Sequence, residues 1–200
     1  MSDPKPTLIS EILAACALVD NDRSRDDIML HAVTELGELA TEIQIASGKA
    51  PGKTVGADGV AGEAMDLILC LVDYLRAHDP DICDAALVAA RTTHKANHDK
   101  PFTFIALAWG VRENTTLMHR QSRLLDVMSL VADLHDGPED QHYRERLWRR
   151  EIGANVLCTC LALIAGERPG ITDDELIDMA RPKLDKWVRS CQTAAPGPEV

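Results

Sequence analysis

Four carboxylate side chains have the most informative spacing in this sequence. Glu35 and Glu38 lie three residues apart, and Glu63 and Asp66 repeat that separation further along the chain. On a helix, this separation places both carboxylates of a pair on one face. Because like charges so close together repel, each pair lowers stability unless a cation lies between its members. Two such pairs facing each other would surround one point with oxygen ligands, which suits Mg²⁺, with Mn²⁺ as the alternative.

The sequence around these acids offers little positive charge. No lysine or arginine occurs between residues 26 and 48, and Asp66 leads directly into the apolar run 67–72. A carboxylate at the edge of a buried surface is unfavourable without a partner. Salt bridges within this region cannot account for all four acids, so the sequence predicts a bound divalent metal.

The elements that must position these acids are predicted to be helices. Apolar residues recur at three- and four-residue spacing along nearly the whole chain. Aromatic residues make up only 4% of it, and alternating β-branched runs are scarce, so we expect an all-α fold. The expected helices lie at about 8–19, 26–48, 62–77, 80–97, 102–112, 116–134, 141–165 and 172–190. The glycine-rich stretch 48–62, between the two acidic pairs, is expected to be a flexible loop.

The chain also contains a weak internal repeat with an offset of 88 residues. At this offset Leu69-Cys70 meets Leu157-Cys158, and the spacing between the two long helices is unchanged. We interpret the pattern as two four-helix units, at 1–100 and 101–200, packed as an intramolecular pseudo-dimer. The alternative is that two unrelated helical hairpins align loosely.

The stretch TELGELATEI, a glycine-rich loop and then GEAMDLILCLVDYL resemble the ExxE…ExxD signature of the all-α MazG-like nucleoside triphosphate pyrophosphohydrolases. The resemblance covers residues 8–98 and implies a helical bundle, usually paired with a second copy. It implies that Glu35, Glu38, Glu63 and Asp66 hold Mg²⁺. It also implies cleavage of a (deoxy)nucleoside triphosphate between its α- and β-phosphates, giving a monophosphate and pyrophosphate. By the same analogy, Glu38 is expected to be the catalytic base toward water.

Positive and amide groups near the acidic pairs are candidates to bind the substrate phosphates. Lys49 and Lys53 lie in the glycine-rich loop, while Lys95 and Asn97 end the fourth predicted helix, where the resemblance implies a Lys and an Asn. The alternative for each lysine is a solvated surface charge, and Asn97 could instead cap its helix. The loop lacks the GxxxxGK[ST] pattern of a Walker motif.

The second unit keeps only part of the acidic pattern. Its corresponding positions are, in order, Arg123, Asp126, Glu151 and Ala154. We expect Arg123 to pair with Asp126 or Glu151 and to fill the space of a metal. The second unit is therefore predicted to bind no catalytic Mg²⁺ and to complete the bundle. Its three tryptophans are expected as core anchors, with stacking on a nucleobase as the alternative.

Charge and composition restrict the partners. The 200 residues include 32 Asp and Glu against 21 Lys and Arg, a net charge of −11, which argues against nucleic acid and anionic membranes. No apolar run reaches the roughly 18–20 residues of a membrane span. No signal peptide is visible and the six cysteines form no CxxC pair, so a cytoplasmic protein with reduced thiols is expected. Two chains could associate as a homodimer of pseudo-dimers.

Two functions are compatible with this pattern. The first is an Mg²⁺-dependent (deoxy)nucleoside triphosphate pyrophosphohydrolase with one active site, formed mainly by residues 31–98. The second is a non-catalytic nucleotide-binding or interaction scaffold of the same fold. All four acids of the first unit are present, which favours the enzyme. An unrelated di-metal bundle is disfavoured, because neither Glu35 nor Glu63 has a histidine three residues later.

Overall fold

The structure is a computed structural model and describes residues 7–19, 23–78, 117–135 and 142–193. Within these ranges all regular structure is helical, as the sequence predicts. The helices are α1 (Leu8–Leu18), α2 (Arg25–Ala46), α3 (Gly59–His78), α4 (Leu117–His135), α5 (His142–Glu167) and α6 (Asp173–Thr193). The helices predicted at 80–97 and 102–112 lie outside the described residues.

Reciprocal caps explain where α2 and α6 begin. The backbone N–H of Asp27 donates to the Ser24 hydroxyl, while the Asp27 carboxylate accepts from the Ser24 N–H, both at 3.1 Å. Thr172 and Glu175 form the same pair, with distances of 2.8 and 3.3 Å. Each box satisfies two backbone donors that the first turn of a helix leaves without partners. The predicted starts are therefore within one residue of those observed.

Helix α3 begins three residues earlier than its glycine-rich sequence predicts. Its first residue is Gly59, and the Asp58 carbonyl accepts a hydrogen bond from the Gly62 N–H at 3.0 Å. The side chains of Val60 and Ala61 are buried in this extra turn. Their burial favours helix over loop, although glycine alone disfavours it.

Helix α3 is central among the described helices and packs against α1, α2, α5 and α6. Helices α2 and α3 form one hairpin, α4 and α5 form another, and the hairpins meet where α3 packs on α5 and α2 on α4. Helix α6 lies against α1 and α3. The middle of α3 is buried from several sides, including Leu67, Ile68, Leu71 and Leu75. A helix held so firmly is a rigid support for the acids near its start.

The ends of the two hairpins follow the offset of the sequence repeat. Helix α2 ends at Ala46 and α4 at His135, while α3 ends at His78 and α5 at Glu167. Both pairs of ends agree with the 88-residue offset to within one residue. The connection between α2 and α3 has 12 residues, whereas that between α4 and α5 has six.

Two glycines should respond in opposite directions to the same substitution. A Cβ added at Gly153 would lie 2.9 Å from Leu75 Cδ2, in the buried contact between α5 and α3. Gly37 lies on the exposed face of α2, where no described atom is within 4 Å of an added Cβ. We expect Gly153→Ala to destabilise the protein by about 1 kcal/mol through overpacking. Gly37→Ala should stabilise it by about 0.5–1 kcal/mol through helix propensity.

Urea unfolding of both variants beside the wild-type protein measures these differences. A destabilised Gly37→Ala variant would show that its helix face is covered. A stabilised Gly153→Ala variant would contradict the close approach of α3 and α5.

Candidate metal centre

Three of the four predicted acids meet between α2 and α3. One carboxylate oxygen from each of Glu35, Glu63 and Asp66 lies within 4.8 Å of the other two. Oxygen ligands of one Mg²⁺ can lie at most about 4.2 Å apart, since each bond is about 2.1 Å long. Small side-chain rotations would bring these oxygens to that separation. The three residues, which we call the acidic triad, could therefore hold a divalent cation.

Glu38 stands apart from the triad. Its side chain is exposed and lines the same cavity as Glu35, Glu63 and Asp66. Its charge contributes to raising the pKa values of Glu35 and Glu63, so the carboxylates sense each other. The structure thus separates a half-buried triad from a more accessible fourth acid, a difference that equal i, i+3 spacing does not predict.

The triad is electrostatically strained in the absence of a metal. Burial raises the pKa of Glu35 to about 7, and the charges of Asp66, Glu38 and Glu63 add to the effect. The pKa values of Glu63 and Asp66 are also raised, again mainly by burial. A cation among the carboxylates would reverse these effects by favouring their charged forms.

One cation already contacts the triad. The ammonium group of Lys183, on α6, lies 2.5 Å from Asp66 Oδ2 and 2.9 Å from Asp58 Oδ2. Only 14% of its side chain is exposed. Burial acts to lower the pKa of Lys183, but the hydrogen bonds to Asp66 and Asp58 outweigh it and raise the pKa. Lys183 is therefore charged at neutral pH.

A glycine allows Asp58 to reach this lysine. Asp58 directly precedes α3, and a Cβ added at Gly62 would collide with the Asp58 Cβ. The absence of a side chain at Gly62 thus lets the residue before the helix fold back toward Lys183. Sequence reasoning missed both Asp58 and Lys183. The signal was indirect, since four acids without nearby bases required a cation from elsewhere in the chain.

The glycine-rich loop is anchored at its centre. The Gly56 N–H donates to both carboxylate oxygens of Glu42 at 3.1 Å, and Glu42 is only 9% exposed. A Cβ at Gly56 would lie 2.9 Å from Glu42 Oε1, so the backbone approaches this carboxylate as closely as glycine permits. The loop that was expected to be flexible is tied to α2 at this point.

The predicted phosphate-binding residues do not gather around the triad in the described part of the chain. Lys49 is exposed and donates to Gln121 Oε1 at 3.0 Å, and Lys53 is exposed in the loop. Neither lines the cavity beside the triad. Lys95 and Asn97 lie outside the described residues. Phosphate binding by these four residues stays a prediction.

The triad forms one wall of a cavity of about 1420 Å³. Typical small-molecule pockets occupy about 300–1,000 Å³, so a nucleotide-sized ligand would fit. Helix α6 also lines this cavity, and its contribution includes Lys183, Lys186 and Trp187. Residues from both halves of the chain therefore line the cavity.

An ion pair and a ring contact hold Trp187 in the lining of this cavity. The Arg23 guanidinium lies 5.2 Å from the centroid of the Trp187 ring, and its Nη2 is 2.8 Å from Asp73 Oδ2. Asp73 is nearly fully buried on α3. A cation held over an aromatic face is attracted by the ring's quadrupole. These contacts orient Trp187 at the cavity surface, where part of its side chain remains accessible.

The second unit presents a different set of side chains at the corresponding positions. Arg123 is buried, and burial lowers its pKa while the charge of Asp126 opposes that effect. Ala154 is also buried, and the side chain of Glu151 lies outside the description. Among the residues that the structure describes, the triad is the only group found with the spacing of a metal site.

The cysteines that the structure describes form no disulfide bonds with one another. These are Cys16, Cys70, Cys158, Cys160 and Cys191. Cys70 lines the cavity, where burial and the charges of Glu35 and Asp66 raise its pKa to about 12. Its thiol stays protonated at neutral pH, which makes it a poor nucleophile.

Scans against protein-family models, curated proteins and solved structures found no significant match to this chain. The resemblance to MazG-like enzymes thus stays a prediction from the acidic motif. Of the helices described, none is both long and apolar enough to cross a membrane.

Stability of the metal-free protein should fall as pH rises from 5 to 8. Burial raises the pKa of the Glu35 carboxyl to about 7 in the folded chain, against its ordinary value of 4.5. Folding therefore favours its protonated form, and that stability, fully present below pH 4.5, is lost as pH passes through about 7. Glu35→Gln should remove about 1 kcal/mol of the loss, a figure reduced for solvent screening because the group is half-buried.

Urea unfolding in EDTA at pH 5 and pH 8 measures the effect. Asp133→Asn, which removes an exposed acid on α4, is the control and should behave like the wild-type protein. If Glu35→Gln retains the full pH dependence, Glu35 is not the group responsible.

Proposed function

We propose that this chain is an Mg²⁺-dependent (deoxy)nucleoside triphosphate pyrophosphohydrolase with its active site in the cavity between α2, α3 and α6. The observation that supports this most directly is the approach of three carboxylate oxygens to within 4.8 Å at the wall of a nucleotide-sized cavity. The spacing of the acids in the sequence, with its resemblance to the MazG-like enzymes, supplies the reaction. Mn²⁺ is the alternative metal.

The proposed mechanism divides the acids by their exposure. When bound, the metal would supply positive charge that stabilises the triphosphate as negative charge develops, and it would make water in the site more acidic. Glu35, Glu63 and Asp66 would hold it, because their oxygens already converge. Glu38, exposed on the cavity wall, would accept a proton from the attacking water. The water oxygen would bond to one of the two phosphorus atoms and the anhydride bond between the α- and β-phosphates would break, which would release a nucleoside monophosphate and pyrophosphate.

We also propose that the two halves form a pseudo-dimer of MazG-like units, 1–100 and 101–200. Equivalent helices contact one another, α2 with α4 and α3 with α5, as they would near an approximate two-fold axis. The second unit, with Arg123 and Ala154 in place of acids, would bind no catalytic metal. It would still contribute α6 to the nucleotide pocket, where Trp187 could stack on a base.

One observation favours the alternative of a non-catalytic nucleotide-binding scaffold. The contact between Lys183 and Asp66 neutralises a triad acid without any metal, and such a pair could be permanent in a protein that has lost catalysis. The enzyme is preferred because, among the contacts described, Lys183 forms a salt bridge with only one triad acid, Asp66.

Hydrolysis assays separate these two functions. With Mg²⁺ and a panel of (deoxy)nucleoside triphosphates, we expect monophosphate and pyrophosphate as products. Glu38→Gln and Asp66→Asn should each lower kcat at least about 100-fold, the usual effect of losing an acid–base or charge-stabilising group. Asp126→Asn, the equivalent of Glu38 in the second unit, should change kcat less than about twofold.

Each other outcome has a defined meaning. Orthophosphate with a nucleoside diphosphate would contradict the bond proposed for cleavage. Tight binding of a triphosphate without turnover would support the scaffold. Loss of activity in Asp126→Asn would contradict the division of labour between the units.

Association of two chains would bury apolar side chains on neighbouring helices. Leu30 and Val33 on α2 are exposed, as are Leu125 and Met128 on α4. Light scattering after size exclusion should give about twice the chain mass of 21.9 kDa if the predicted homodimer of pseudo-dimers forms. Leu125→Glu should then restore the mass of a single chain.

A further inference from the structure

Lys183 brings a positive charge from the second half of the chain into the acidic triad. Its ammonium group contacts Asp66 at 2.5 Å and Asp58 at 2.9 Å, and its side chain is largely buried. These contacts show that the triad accepts a cation at Asp66. Asp66 is also one of the three acids whose carboxylate oxygens converge.

A metal at the triad and the ammonium group at Asp66 would oppose each other. An ion bound to Asp66 would lie only a few ångströms from Lys183, and the two positive charges would repel in a partly buried site. Glu35 and Glu63 each bring a carboxylate oxygen within 4.8 Å of one on Asp66, so an ion at this point would be held by all three acids. The metal thus gains most if the lysine leaves Asp66.

Lys183 has a second partner available if it leaves Asp66. Asp58, its second partner, has a side chain that is 59% exposed and lies outside the triad. The four-carbon stem of a lysine allows its charge to swing between partners. The cavity that Lys183 lines extends along α6 past Lys186. An anionic ligand in this cavity would offer a stronger partner than an exposed carboxylate.

We propose that Lys183 neutralises Asp66 in the metal-free protein and that its ammonium group moves to the phosphates when metal and nucleotide enter together. The proposal rests on the proposed function for its second half, the contact with phosphate. Its first half, competition between lysine and metal, concerns the protein alone. A free metal ion then binds weakly, and the metal–nucleotide complex binds well because it provides both a cation for the triad and an anion for the lysine.

A purely structural role for Lys183, as a contact that holds α6 against α3, would give a different result. If Lys183 served only to hold α6 in place, its removal would loosen the cavity and weaken metal and nucleotide alike. Competition predicts effects of opposite sign on the two ligands. That difference in sign distinguishes the two roles.

The test uses the full chain and Mn²⁺ alone, followed by the EPR signal of the free ion. Without nucleotide, Lys183→Gln should tighten Mn²⁺ binding about five- to tenfold, because the competing charge is gone. In the presence of Mn²⁺, the same variant should bind a (deoxy)nucleoside α,β-methylene triphosphate about tenfold more weakly. Arg181→Gln, which removes a charge from an exposed position on the same helix, should change neither affinity by more than about twofold.

A second variant guards against a change in folding. Lys183→Arg keeps the charge and should retain the weak Mn²⁺ binding of the wild-type protein. Unchanged or weaker Mn²⁺ binding in Lys183→Gln would overturn the proposal, and so would tight binding in Lys183→Arg.

Failure of the proposed function gives a different result. If the wild-type protein hydrolyses no triphosphate but Lys183→Gln tightens Mn²⁺ binding, competition is supported and the enzyme is not. If hydrolysis occurs and Lys183→Gln leaves Mn²⁺ affinity unchanged, the enzyme stands and the role of Lys183 is wrong.

Discussion

Three carboxyl groups lie close together at a half-buried surface, and the surrounding helices must hold them there. The carboxylate oxygens of Glu35, Glu63 and Asp66 lie within 4.8 Å of one another, and their mutual repulsion adds to the cost of burial. Such a cluster survives only on supports that do not yield. Helix α3 provides one, because its middle is buried between the other helices. The stability of that core tolerates the unfavourable charges beside it.

The demand for a compensating charge connects the two halves of the chain. No base lies in the sequence near the first acidic pair, and the cation that reaches Asp66 comes from α6 instead. Trp187 on the same helix is held by Arg23, which pairs with Asp73 on α3. The ion pair of Lys183 with Asp66 and the cation–π contact of Arg23 with Trp187 therefore hold α6 in place at two points. The second half shapes the candidate site as well as completing the fold.

Local patterns explain what the sequence could predict. Capping boxes and apolar periodicity involve residues within one or two turns, so the starts of α2 and α6 were predicted within one residue. The i, i+3 spacing likewise placed Glu63 and Asp66 on one face. The contacts of Lys183 with Asp66 and of Arg23 with Asp73 join residues 117 and 50 positions apart. No local pattern encodes them, because they exist only once the helices pack.

The two halves meet similar electrostatic demands with different cations. Arg123, which the proposed repeat aligns with Glu35, is buried. A guanidinium keeps its charge under almost all conditions, so that position is permanently positive. In the first unit the positive charge arrives from another helix, on a flexible lysine with a second carboxylate partner. Under the proposed function, a built-in arginine would close the second unit to metal, whereas a lysine that reaches in from α6 would leave the carboxylates of the first unit available for exchange.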